Sequence, residues 1–463
     1  MDKTTNCELN ADELVRLHRE HLWLHITNHK PFESQDPPIL VSGQGCMVKD
    51  IQGREYLDGL SGGVWCVNAG YGQQKIIDAI TEQLQQLPYY SGAMGNPPYI
   101  RLAEKLAQLL PGLPKVYIAN SGSEANEKSF KISRQYFRLK YPDKDKHKII
   151  YRQRDYHGST LAVLAATGQD ERRDGYGPLP QGFVKMPHAL CYRCEFGKSY
   201  PGCNLECART LETIIEQEGP DTVAAIILEP ITAGGGIIIP VAEYYPIIQE
   251  ICRKYEVLII MDEVVNGFGR TGKMFGSQHY DFEPDMMTMA KGLASSYMPI
   301  SATVTKKHIF DRFLADAADT MGYFRDISTF GGCAAGCAAA LANIAVMEEQ
   351  AMVENSEKMG RYLLDSLKDL EKLPHVGQVR GKGLFLGIEL VADKKSKTPL
   401  PEKYLGQMVA AAKAEGVIIG RMSRSVPGSN NVLTAAPPLI INQQETERLS
   451  QAFRKVVESF SLS

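Results

Sequence analysis

The sequence predicts an α/β protein, with a large domain on a mostly parallel sheet and a smaller α+β domain drawn from the N- and C-terminal parts. Three observations carry this. Short apolar runs at 116–119, 149–151, 223–228, 257–261, 286–289 and 300–304 alternate with amphipathic stretches, the rhythm of buried strands joined by helices. At 463 residues the chain is long for one hydrophobic core, so two domains are expected. After Gly331-Gly332 the pattern changes to an alanine-rich helix at 333–350 and a strand at 384–390 between helical stretches.

In chain order, Leu14, Leu17, Leu22 and Leu24 give 12–27 a helical pattern, which leads into a loop with Pro31, Pro37 and Pro38 as an N-terminal arm. Alternating residues around Gln52-Gly53 predict a hairpin over 48–57. Helix and strand units follow from about Gln74, one helix spanning 124–139. The expected division is 1–73 for the arm and part of the small domain, 74–332 for the large domain and 333–463 for the C-terminal small domain.

A net charge of −3 with pI about 6.4 gives no electrostatic grip on nucleic acid or an acidic membrane. No apolar run approaches the roughly 20 residues of a membrane helix. The polar start Met1-Asp2-Lys3-Thr4-Thr5-Asn6-Cys7 lacks the apolar stretch of a signal peptide, so a soluble, cytoplasmic protein is expected. Ten cysteines in so long a chain do not read as a disulfide scaffold.

Two residues at predicted strand ends carry the most chemistry. Lys291 stands in Thr288-Met289-Ala290-Lys291-Gly292-Leu293 and Asp262 in Ile259-Ile260-Met261-Asp262-Glu263-Val264, each just past an apolar run. Open α/β sheets bind ligands beyond the carboxyl ends of their strands. A lysine able to form a Schiff base and a carboxylate that keeps a pyridine nitrogen protonated are the two groups that pyridoxal 5′-phosphate chemistry requires. Asn120-Ser121-Gly122-Ser123-Glu124-Ala125-Asn126 opens a helix after a strand, so Ser121, Gly122 and Ser123 are candidates for binding a phosphate. Alone, such a stretch is more often a helix cap. Tyr156, in Asp155-Tyr156-His157-Gly158, is a candidate to stack on a planar cofactor, although a Tyr-His pair alone is more often a packed loop. Val264 lies two residues past Asp262, on the same face of an extended chain, and so suits the other side of the ring. Gly267-Phe268-Gly269-Arg270-Thr271-Gly272 is not a dinucleotide fingerprint, since both its spacing and its place after Asp-Glu are wrong.

Together with Leu57-Asp58-Gly59-Leu60-Ser61-Gly62, Glu229-Pro230, Thr329-Phe330-Gly331-Gly332 and Arg380-Gly381-Lys382-Gly383-Leu384, these stretches resemble the class III aminotransferases, fold type I pyridoxal phosphate enzymes, over nearly the whole chain. The resemblance implies that Lys291 carries the cofactor and moves the proton between the substrate carbon and the cofactor's C4′. It implies that Asp262 pairs with the pyridine nitrogen, that Ser121, Gly122 and Ser123 hold the phosphate, and that Tyr156 and Val264 flank the ring. His157 and Glu229 complete the cofactor site. Thr329 would reach the phosphate in a neighbouring subunit, making a homodimer the minimum unit, with a tetramer left open.

Trp65, followed by Cys66-Val67-Asn68, resembles the ω-amino acid:pyruvate branch, where this aromatic faces the substrate; otherwise it is an ordinary core tryptophan. Arg421 aligns with the arginine that holds the substrate's acid group, with Arg424 as the alternative. Branches that use 2-oxoglutarate carry a masking glutamate five residues after the one in Glu229-Pro230, and here that position is Gly234. Pyruvate is therefore the expected acceptor and a terminal primary amine the expected donor. Taurine-using enzymes are the most similar branch, and an arginine holds sulfonate as well as carboxylate. A diamine, 4-aminobutyrate or β-alanine transaminase, or an aminomutase, is the alternative on the same scaffold. Cys191, Cys194, Cys203 and Cys207 have a density that suits tetrahedral zinc. Their long middle gap and the metal-free chemistry favour a reduced loop or one redox-sensitive pair, and no metal is expected.

Overall fold

Val223–Leu228 is buried at every position, as a strand covered on both faces must be. It lies inside a seven-stranded sheet ordered Lys115–Ala119, Ser301–Thr305, Met286–Met289, Leu258–Asp262, Val223–Leu228, Lys148–Arg152, Phe183–Met186. The computed structural model describes residues 10–461, and the polar start Met1 to Cys7 lies outside the described residues. All six apolar runs are strands of this sheet. The five strands from Met286–Met289 to Phe183–Met186 are mutually parallel. Ser301–Thr305 is antiparallel to both its neighbours, because the short connection 290–300 has no room for a crossover helix. Phe183–Met186 is an additional edge strand, only partly buried.

The helix Gly122–Lys140 follows the Lys115–Ala119 strand; Ser121 caps it by accepting from the Glu124 amide at 3.2 Å. The helix Ala334–Glu349 is buried on nearly every side and packs on Gln74–Gln86 and Pro97–Leu109. The N-terminal helix ends at His21, earlier than its leucine pattern implies. Leu22, Trp23 and Ile26 beyond it are exposed and have no packing to extend the helix.

Met47–Asp50 and Glu55–Asp58 form the expected hairpin. Asp50 Oδ1 accepts from the Gln52 and Arg54 amides at 3.0 and 2.9 Å, and Gly53 supplies the positive φ of 79° that the turn needs. Val417–Ile418 runs parallel to Glu55–Asp58, tying the C-terminal part to the N-terminal sheet. Gly420–Arg421 then joins Val376–Gly381, Leu386–Asp393 and Val432–Ala435 in the remaining sheet. Among the described residues, no helix is long and apolar enough to cross a membrane.

Candidate active site

The carboxyl ends of the parallel strands deliver a set of polar residues to one place. Asp262 ends its strand and is buried. Its Oδ2 accepts from Asn126 Nδ2 and faces His157 Nδ1, both at 2.8 Å, while Oδ1 accepts from the Val264 amide at 3.0 Å. A carboxylate only accepts, so His157 carries its proton on Nδ1. Asn126 is fixed in turn, its Oδ1 accepting from Thr288 Oγ1 at 2.7 Å and its Nδ2 also reaching the His157 carbonyl at 2.7 Å.

Glu229 stands behind Tyr156, accepting from the Tyr156 amide on Oε1 at 2.8 Å and from the Ala233 amide on Oε2 at 2.9 Å. Burial, with the charges of Asp155 and Asp262, pushes this carboxyl well above the ordinary range. Arg152, also fully buried, ties the layer together by donating to the Glu229 carbonyl at 2.6 Å and pairing with Asp155 at 3.0 Å.

Lys291 follows Met286–Met289 with φ of 41°, a left-handed conformation that lysine seldom adopts. Burial lowers its amine below the ordinary lysine value, opposed by Cys66, Asp262 and Glu229 and reinforced by Arg172. A lowered amine pKa favours the neutral, nucleophilic form.

Lys291, Asp262, His157 and Tyr156 open on a cavity of about 170 Å³ whose lining also includes Ser121, Gly122, Ser123 and Val264. Gly122 has no side chain where a Cβ would come within 3.0 and 3.1 Å of the Val264 methyls. A helix N-terminus with hydroxyls, an aromatic ring, a buried carboxylate and a depressed lysine amine are the donor set that a phosphorylated pyridine aldehyde calls for, so the residues fit pyridoxal 5′-phosphate.

Comparison over nearly the whole chain shows the family. The model of the family "Aminotransferase class-III" matches residues 32–457. The chain belongs to the class III aminotransferases. Members of this family depend on pyridoxal 5′-phosphate, and so does this enzyme. It is 50% identical to a taurine–pyruvate aminotransferase of Bilophila wadsworthia, over 97% of this chain and 99% of that one. It is 49% identical to a hypotaurine/taurine–pyruvate aminotransferase of Paracoccus denitrificans, over 96% and 97%. A solved Bacillus anthracis aminotransferase is similar at TM-score 0.92 and 41% identity, covering 97% of this chain and 98% of that one.

Four residues that the sequence assigned to this aminotransferase's site lie outside that cavity lining. Glu229 is one layer behind it. Trp65 packs edge-on against Phe385 at 5.4 Å, and its buried indole nitrogen has no partner among the described residues. Thr329 is exposed, its carbonyl accepting from the Tyr89 hydroxyl at 2.8 Å. Arg421 is ion-paired with Glu402.

Sequence reasoning passed over Asn126 as a site residue, although it lies in the quoted Ser-Gly-Ser turn, and missed Arg172 altogether. Arg172 lies over the Tyr156 ring, with its guanidinium carbon 5.1 Å from the centroid. Its own signal, Asp170-Glu171-Arg172-Arg173, is a charged run that reads as a solvated turn.

The four clustered cysteines are free thiols; Cys191 is exposed and Cys203 buried. Burial, with the other three thiols, pushes Cys207 up to about 11. Among the described residues, no group of three or more His, Cys, Asp or Glu side chains is placed to hold a metal ion.

Proposed function

We propose that this aminotransferase transfers the amino group of taurine to pyruvate, yielding the aldehyde of the donor and alanine, in two half-reactions. The observation that carries the donor and acceptor is the half-identity, over nearly the whole chain, with relatives named for taurine and pyruvate. Gly234 supports the acceptor, because no carboxylate stands where a 2-oxoglutarate enzyme would need its mask.

The cofactor, when bound, supplies the electron sink that makes the proton on the amine-bearing carbon acidic and carries nitrogen between the two substrates. Lys291 is the residue that holds it and moves that proton, since burial keeps its Nζ available as a base. Asp262, locked by Asn126 and His157, would keep the ring nitrogen protonated. Ser121, Gly122 and Ser123 would hold the phosphate at the helix N-terminus, and Tyr156 and Val264 would flank the ring. Trp65, packed against Phe385, would border the substrate rather than the cofactor.

Exposed apolar side chains along the segment that contains Thr329, including Ile327 and Phe330, support a homodimer in which Thr329 completes the partner's phosphate site. The free thiols support a reducing, cytoplasmic setting.

The half-reactions test this reading directly. Taurine alone should release about one equivalent of aldehyde per active site, and pyruvate added afterwards should yield about one equivalent of alanine. Aldehyde release only with 4-aminobutyrate or a diamine would replace the donor; failure of both steps with every amine would refute the transaminase reading.

A further inference from the structure

Three arginines come from two segments that meet beside Tyr156, where the Glu171 amide donates to the Ser425 carbonyl at 3.3 Å. They differ in what already holds them. Arg421 is ion-paired with Glu402, whose other oxygen accepts from Asn430 at 3.4 Å, so its charge is answered within its own chain. Arg172 has no carboxylate at ion-pair distance among the described residues. Its Nε donates to Gln169 Oε1 at 3.1 Å, its guanidinium carbon lies 5.1 Å from the Tyr156 ring centroid, and neither Nη has a hydrogen-bond partner among the described residues. Glu171, next in the chain, is engaged by Asn430 Nδ2 at 2.7 Å.

The surroundings of Arg172 favour an anion. Burial and the nearby Arg424 lower its guanidinium, with Tyr156 and Glu171 only partly opposing them. Lys291 feels the same positive charge. A cation with a second cation nearby and partly stripped of water is relieved by an anionic ligand that brings acceptor oxygens. Position 234 is equally telling. A Cβ there would stand 2.9 Å from Gln169 Nε2, the end of the side chain that steadies Arg172. A glutamate at 234 would press on that support, and Gly234 leaves it undisturbed.

We infer that Arg172, steadied by Gln169 over Tyr156 and flanked by Arg424, is the subsite for the anionic end of the amine donor, while Glu402 withholds Arg421 from that task. The inference rests on the reading of an acid-bearing donor. A sulfonate or carboxylate accepts from the two unengaged Nη groups of the planar fork, while the donor's amine lies toward Lys291.

The test compares taurine with 1-phenylethylamine, a donor without an acid group, using holoenzyme at saturating pyruvate. The readout is the ratio of their kcat/KM values. Arg172→Leu should lower the taurine-to-phenylethylamine ratio at least tenfold, mainly through a higher KM for taurine. Arg172→Lys should restore part of that loss. Arg421→Leu should shift the ratio less than Arg172→Leu does. The absorbance of bound cofactor checks that each variant is folded and loaded.

An Arg421→Leu loss equal to or larger than that of Arg172→Leu overturns the inference. So does an Arg172→Leu variant that slows both donors in equal proportion, the signature of a mere prop for Tyr156. Wild-type enzyme that uses phenylethylamine but neither taurine nor β-alanine refutes the acid-donor reading before any variant is made. Wild-type enzyme that prefers β-alanine, with the same dependence on Arg172, changes the donor and supports the subsite.

Discussion

At the strand ends, Asp262, His157, Asn126, Asp155 and Glu229 are buried, and each is tied by hydrogen bonds to neighbours in the same chain. Along 321–330 the pattern reverses: Met321, Tyr323, Ile327 and Phe330 are 63, 50, 76 and 62% exposed, with Tyr90 and Met94 exposed as well. Buried polar groups must satisfy each other locally, because each unpaired one costs roughly 1–3 kcal/mol. A run of apolar groups left in water marks instead a patch suited to another surface. The difference teaches that the buried polar layer is satisfied within one chain, whereas the exposed apolar segment around Thr329 is where the proposed second copy would pack.

The largest expected effect is on the strand-end side. Lys291→Ala should abolish borohydride-stable attachment of pyridoxal 5′-phosphate, measured by mass spectrometry, and lower transamination by roughly 10³-fold or more. Fold and oligomeric state should be unchanged, since the lysine makes no hydrogen bond among the described residues. Attachment that survives in this variant would move the covalent role to another residue and break the proposed division between the two regions.

The exposed side is probed by Phe330→Asp. The ring is largely exposed and touches its own chain chiefly through Tyr89, at 5.7 Å between centroids, so the subunit fold should survive. A charge placed in an apolar contact between copies should weaken the dimer by roughly 2–4 kcal/mol. Sedimentation should show dissociation at micromolar protein, accompanied by loss of cofactor as Thr329 is withdrawn. A dimer of unchanged strength would place the interface elsewhere.

The two regions also differ in how far the sequence discloses them. Lys291 and Asp262 were legible because each follows an apolar run, and a buried strand fixes where its carboxyl end points. Arg172 was not, since only its contacts with Gln169 and Tyr156, made through the fold, turn a charged run inward. The pairing of Arg421 with Glu402, on another element, carries no local signal. The apolar run at 300–304 announced a strand without its direction. The direction followed from the short 290–300 connection, which the sequence also held but which periodicity does not read.

Within the buried layer, Glu263 makes the stability depend on pH. Its oxygens accept from the Gly276 and Ser277 amides at 2.8 and 2.7 Å, yet burial raises its pKa from 4.5 to about 7. The folded state therefore holds a proton that the unfolded chain releases between those values. This group's contribution is fullest below the unfolded value and is lost as pH rises to about 7, by up to about 3 kcal/mol. Glu263→Gln should remove that slope from a series of thermal melts. Its starting stability should be lower, because an amide has one acceptor oxygen for two N–H groups. A slope unchanged in the variant would assign the pH dependence to other groups.

The smallest effect concerns the contact between Gly122 and Val264. A Cβ at position 122 would stand 3.0 Å from Val264 Cγ1 and 3.1 Å from Cγ2, closer than ordinary van der Waals contact. Gly122 has no positive φ, so the backbone itself accepts alanine and the strain falls on the valine. If Val264 supports the ring and Gly122 borders the phosphate, as proposed, Gly122→Ala should weaken cofactor binding several-fold, on the order of 1 kcal/mol. Val264→Ala alone should weaken it comparably by removing that support. Combined, the two should cost less than the sum of the singles, because the smaller residue at 264 relieves the crowding from 122. Cofactor titration of the four apoenzymes measures the cycle, and strict additivity would show that the two residues act on the cofactor independently.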